Sequence, residues 1–134
     1  MALKNHTILY IDDDRDDLQM FKEAVARVDG SYHVVEAING EQGLHQLQNM
    51  KQEEELPCLI VLDINMPKID GRQAFRMIRN DNALSSIPIV IFSTSNSSID
   101  KLFFQGKDVE YLTKPIDFMS LLNVASRLLS YCKN

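Results

Sequence analysis

The sequence predicts an α/β fold, a (βα)5 doubly wound parallel five-stranded sheet. Three observations carry this reading. Short runs rich in β-branched and aromatic residues alternate with segments of helical period. Two runs, "LIVL" and "IVIF", are continuously apolar, as expected of strands covered on both faces. The segments between runs are long enough for right-handed helical crossovers between parallel strands.

The elements follow in order. The first strand is Thr7–Ile11. Leu18, Phe21, Val25 and Val28 then recur at helical intervals, and Asp14 is placed to cap that helix, with Asp16 and Asp17 in its positive first turn. A second strand covers Tyr32–Ala37. Asn39 with Gln42 resembles a capping box opening a helix over Gly40–Gln52. The charged "KQEEELP" that follows reads as a solvated helix end and turn. Cys58–Leu62 is the third strand, and Asp70 with Gln73 opens a helix over Gly71–Asn80. Pro88–Phe92 is the fourth strand. Residues 93–106, "STSNSSIDKLFFQG", leave room for only a short fourth helix. Val109–Thr113 is the fifth strand, and the stripe Phe118, Leu121, Leu122, Ala125, Leu128 and Leu129 is the clearest helix of the chain. Residues 1–134 read as one domain, with no linker or repeat.

Composition narrows the function. The 134 residues are 45% hydrophobic and 25% charged, with net charge −5. That balance disfavours nucleic acid or an anionic membrane as a partner. No stretch approaches the ~18 apolar residues of a membrane span, and "MALKNHTILYID" lacks a signal peptide's apolar region, so the expected location is cytoplasmic. Cys58 and Cys132 match no metal-ligand spacing and are expected as separate thiols. His6, His33 and His45 are scattered and read as structural or surface residues.

Chemistry-bearing residues fall at the carboxyl ends of the strands. Asp12 and Asp13 follow the first, Asp63 the third, Ser93 and Thr94 the fourth, and Lys114 and Pro115 the fifth. In open α/β sheets the ligand crevice lies outside those ends, so these residues should converge. Three carboxylates make sense around magnesium (Mg2+), a hard cation that prefers oxygen ligands. One of them can then act as an attacking oxygen. A phosphoryl group arriving there needs a cation, a lysine and a hydroxyl around its oxygens.

With "ILYIDDD", "LIVLDINMPKIDG", "IPIVIFSTS" and "YLTKPID" in this order, the chain resembles the receiver domain of two-component response regulators, which has the CheY-like, flavodoxin-like fold. The resemblance implies strand order 2-1-3-4-5. It implies that Asp63 is the phosphoacceptor, that Asp12 and Asp13 bind Mg2+ with Asp13 the direct ligand, and that the Asn65 backbone carbonyl completes the metal shell. It makes Ser93 the switch hydroxyl, Lys114 the lysine that meets the phosphoryl oxygen, and Tyr111 the switch aromatic. Pro115 is expected to follow a cis bond, and Gly71 to relieve a backbone constraint after the "MPKIDG" turn. The implied phosphoryl donor is a sensor histidine kinase or a histidine phosphotransfer protein. The protein is then a signalling phosphoacceptor rather than an enzyme, stand-alone and without an output domain. It works as a switch on a protein target, or as a phosphorelay shuttle to a second histidine. Two departures bear on this. The segment between Ser95 and Tyr111 is short, and Thr94 stands where a smaller residue is common, so its bulk is expected to narrow access to the acceptor.

Other classes fit less well. Asp12, Asp14, Asp16 and Glu23 match positions 1, 3, 5 and 12 of a calcium-binding EF-hand loop. Asp17 replaces its turn glycine, however, and a strand leads in where a helix belongs. An aspartate-nucleophile phosphatase would need Thr or Val where Arg15 stands, and its general acid where Asn65 stands. A flavodoxin-like cofactor site needs a neutral phosphate loop after the first strand, and this one is acidic.

Overall fold

The computed structural model describes residues 6–66, 69–94 and 97–133. Pro67 and Lys68 of "MPKIDG" therefore lie outside the described residues. Five strands are found: β1 (Thr7–Ile11), β2 (His33–Ala37), β3 (Leu59–Leu62), β4 (Ile89–Ser93) and β5 (Glu110–Thr113). Five α-helices alternate with them: α1 (Arg15–Val28), α2 (Gly40–Gln52), α3 (Gly71–Asn80), α4 (Ser98–Phe104) and α5 (Phe118–Leu129). The strands form one parallel sheet in the order β2-β1-β3-β4-β5.

Each strand sends alternate side chains to opposite layers, which is why "LIVL" and "IVIF" are apolar throughout. Ile8, Tyr10, Leu59, Val61, Val90 and Phe92 pack with α1 and α5. Leu9, Ile11, Ile60, Leu62, Ile89 and Ile91 pack with α2, α3 and Phe104 of α4. The stripe of α1 is buried through Leu18, Phe21 and Val25, whereas Val28, beside the C-cap Asp29, is exposed.

The helix starts follow local chemistry. Asp14 accepts the N–H groups of Asp16 and Asp17. Asp70 and Gln73 make a reciprocal capping box. At α2 only half the box forms: Asn39 caps Gln42, but the Gln42 side chain accepts from Ile38 N–H at 2.8 Å instead. Helix α4 has seven residues, with Phe104 and Asp100 inward and Ile99 and Leu102 outward.

Two expectations are corrected. Cys58 and Cys132 are joined as a disulfide across 74 residues, with Cα atoms 5.2 Å apart. Spacing along the chain gave no hint of this. Cys58 precedes β3, Cys132 ends the turn after α5, and only the packing of α5 on the sheet brings them together. Second, no peptide bond among the described residues is cis, so Lys114–Pro115 is trans. The trans form is the ground state of an X–Pro bond by roughly 0.5–1 kcal/mol, and Lys114 reaches the carboxylates with it. His6, His33 and His45 are exposed, as expected, with His6 stacked on Tyr32 at 4.7 Å.

Candidate functional site

The strand order reverses between β1 and β3, which opens the crevice at the switch point. Ile11 of β1 pairs with Leu62 of β3, so the residues after them, Asp12 and Asp63, lie side by side. Their backbones are fixed on both sides: Asp12 N–H donates to Ala37 O at 2.9 Å and Asp63 N–H to Ile11 O at 3.0 Å. Asp13 follows on the exposed rim. One oxygen from each of Asp12, Asp13 and Asp63 lies within 4.8 Å of the others.

Lys114 enters from the far side. Its backbone N–H donates to Ser93 O at 2.9 Å, tying the ends of β4 and β5 together. Its Nζ then lies 2.6 Å from Asp12 Oδ2, 2.8 Å from Asp17 Oδ2 and 3.5 Å from Asp63 Oδ2. Ser93 is fully buried, and its hydroxyl bonds to the Asp63 carboxylate. Asp63 also accepts from Ile64 N–H at 2.8 Å.

Asp12 is wholly buried, and both its oxygens are engaged. Oδ1 accepts from Asp14 N–H at 3.0 Å, while Oδ2 accepts from the Tyr10 hydroxyl at 2.7 Å and from Lys114. Burying a carboxylate is costly unless it is paired and hydrogen-bonded, and these contacts meet that condition. Tyr10 is itself buried, edge-on to Phe21 at 4.6 Å. Burial and the Asp12 charge hold its phenol in the neutral, donating form.

The electrostatics separate the groups. Burial pushes the Asp63 carboxyl from its ordinary 3.8 up to about 6, with Lys114 opposing and the neighbouring Asp12 adding to the rise. Burial alone would lower the Lys114 ammonium, but its bonds to Asp12 and Asp17 and the charge of Asp63 raise it above the usual lysine value. The result is a carboxylate whose charge is only partly offset, beside a cation that stays charged.

Asp12, Asp13, Asp63, Ser93 and Lys114 thus meet. Asn65 is two residues after Asp63, exposed on the loop after β3. Thr94, next to Ser93, is exposed. Tyr111 lies one strand away, half-buried, its ring 6.1 Å from that of Phe104. Gly71 has a role of a different kind from the one expected. A Cβ there would sit 2.4 Å from Asp63 O and 2.6 Å from Ile64 Cα, so a side chain is excluded by close approach, not by backbone angle. Two residues escape sequence reasoning. Asp17 serves as a helix-start acid and also holds Lys114, and Tyr10 reads as an ordinary strand aromatic. A tyrosine two positions before a buried carboxylate on the same strand face was the available signal.

Comparison with known proteins agrees with this geometry. The family model for the response regulator receiver domain matches residues 8–126. PilH of Pseudomonas aeruginosa is 31% identical over 124 residues, covering 92% of this chain and 97% of that one. Other curated relatives are longer: the chain spans 48% of the probable C4-dicarboxylate response regulator DctR of Bacillus subtilis, at 31% identity over 86% of its own length. Among solved structures, the phosphorylated cyanobacterial phytochrome response regulator RcpA superposes with a TM-score of 0.84 at 28% identity, covering 98% of this chain and 94% of that one. The Mn2+-bound response regulator Rcp1 gives 0.79 at 28%, covering 92% and 91%. Sequence, strand order and the convergence of carboxylates at the switch point lead to one assignment: the chain belongs to the response regulator receiver domains of two-component signalling.

Proposed function

We propose that Asp63 accepts a phosphoryl group from the phosphohistidine of a sensor histidine kinase or a histidine phosphotransfer protein. One observation carries this reading: a carboxylate only 6% exposed is set among a lysine ammonium, a serine hydroxyl and two further carboxylates. In the transfer an Asp63 oxygen bonds to phosphorus, the P–N bond breaks, and its electron pair leaves with the imidazole. The product carries roughly one more negative charge than the carboxylate. Lys114 and Ser93 face the oxygens on which that charge appears.

The donor set fits a hard divalent cation. Asp13 and Asp63 would hold Mg2+ directly with the Asn65 carbonyl, while Asp12, whose oxygens already accept from Tyr10, Asp14 and Lys114, would act on its hydration shell. Bound there, the ion supplies positive charge to the phosphoryl oxygens. That the related regulator Rcp1 has a Mn2+-bound form supports divalent-ion binding in this reading.

The modified state then acts as a switch on a protein target, through Ser93, Tyr111 and the face of α4, β5 and α5. Ile99, Leu102, Ile116 and Met119 are exposed large apolar residues there, which supports docking of a protein partner. A cytoplasmic location belongs to the same reading. Among the described residues no helix is long and apolar enough to cross a membrane.

The test is a mass measurement. Wild-type protein given Mg2+ and a small-molecule phosphoryl donor should gain one phosphoryl group, and should lose that gain on chelation or in Asp63→Asn. No gain in the wild type, or an equal gain in Asp63→Asn, overturns the assignment. Recovery of the group on a histidine-containing partner would instead make the protein a shuttle.

A further inference from the structure

We propose that Asp17 is a positioning residue for Lys114: it holds the ammonium on the α1 side of the crevice and yields it when Asp63 is modified. This rests on the reading of Asp63 as the phosphoacceptor. An ammonium has three N–H donors, and Lys114 faces three carboxylates. Two contacts, at 2.6 Å to Asp12 and 2.8 Å to Asp17, are at charge-assisted hydrogen-bond distance, while Asp63 at 3.5 Å is at the limit. In the unmodified protein the lysine is thus spent chiefly on residues other than the acceptor.

Burial decides which contact gives way. The Asp12 side chain has no exposure, so losing Lys114 would strand part of its charge away from water. The Asp17 side chain is 35% exposed and rehydrates on release. Asp17 cannot follow the lysine inward. Its own N–H is held by the Asp14 cap at 3.1 Å, and the next residue, Leu18, is fixed in the core. An added negative charge at Asp63 therefore draws Nζ from Asp17 while the Asp12 bond persists. Lys114 lies between the end of β5 and Asp117, the N-cap of α5, so the release removes one ion pair between α1 and the connection from β5 to α5, while the apolar packing of the two helices stays in place.

Asp17 therefore favours the unmodified state, and removing its charge should favour the modified one. Titrating the protein with beryllofluoride in the presence of Mg2+, a phosphoryl mimic, reads this directly. Asp17→Asn should bind it roughly fivefold tighter than wild type, the scale of a partly exposed ion pair. Asp16→Asn makes the same charge change one residue away on an exposed side chain, and should bind within twofold of wild type. In the metal-free protein, lysine-selective NMR should show the Lys114 ammonium exchanging protons with water faster in Asp17→Asn, and Asp17→Glu should restore slow exchange. Unchanged or weaker binding in Asp17→Asn, or equal tightening in Asp16→Asn, overturns the proposal. If wild type binds no beryllofluoride and gains no phosphoryl group, the acceptor reading fails instead.

Discussion

At the scale of single residues, the central fact is that Asp63 is uncomfortable. Its carboxyl titrates near 6 in the metal-free protein because burial and Asp12 outweigh Lys114 and the Ser93 hydroxyl. The folded state therefore binds a proton that the unfolded chain, at its ordinary 3.8, does not. The stabilisation from that proton is full below about pH 4 and is lost as pH rises through about 6. At neutral pH the ionised group opposes folding, a tension that a divalent cation can relieve. Metal-free Asp63→Asn should then be more stable than wild type at pH 7 by about 1–3 kcal/mol, from 1.36 kcal/mol per unit. The advantage should shrink at pH 4. Urea unfolding at the two pH values measures it, and an advantage that is equal at both would mean that burial of this charge is not the cause. The five carboxylates of "DDDRDD" divide differently from what their helix-start chemistry suggests. Asp14 and Asp16 belong to the helix alone, whereas Asp17 belongs to the helix and the lysine together.

At the scale of elements, α3 is pressed against the acceptor. Gly71 opens that helix, and its N–H donates to Ile64 O at 2.9 Å while its missing Cβ leaves room for the Asp63 carbonyl. The obstacle to a side chain is backbone, which cannot swing aside. Gly71→Ala should cost about 1–3 kcal/mol, the range for overpacking, and should slow phosphorylation by displacing Asp63. Chemical unfolding and the phosphorylation time course report the two effects, and retention of both wild-type values would remove the steric account. Helix α4 illustrates the opposite regime. With seven residues and one buried aromatic, it is anchored by the ion pair of Arg72 with Asp100 and by Arg76 and Lys107 around Phe103. Charged contacts stand there for the apolar stripe that a longer helix would supply.

At the scale of the whole molecule, the sheet carries two apolar layers, and the disulfide stitches the α5 end of one layer to β3. Closing a loop across 74 residues removes up to about 4.5 kcal/mol of unfolded-state entropy. Protein purified without reductant should show no free thiol. Cys132→Ser, or reduction of the wild type, should lower the unfolding midpoint without changing strand order or phosphoryl gain. A full count of two free thiols in the unreduced protein would return the pair to the separate state expected from spacing.

The sequence alone determined the alternation of elements, the helix starts at Asp14, Asn39 and Asp70, and the set Asp12, Asp13, Asp63, Ser93 and Lys114. These rest on local chemistry: apolar periodicity, caps, and polar residues stranded at strand ends. The tertiary structure decided the rest. The Cys58–Cys132 pairing, the steric need for Gly71 and the hold of Asp17 on Lys114 join residues from different elements, and the Tyr10 bond to Asp12 depends on the burial of one strand face. Their distances exist only after the sheet has closed its crevice. Periodicity says which face a residue takes, but not which distant charge will be waiting there.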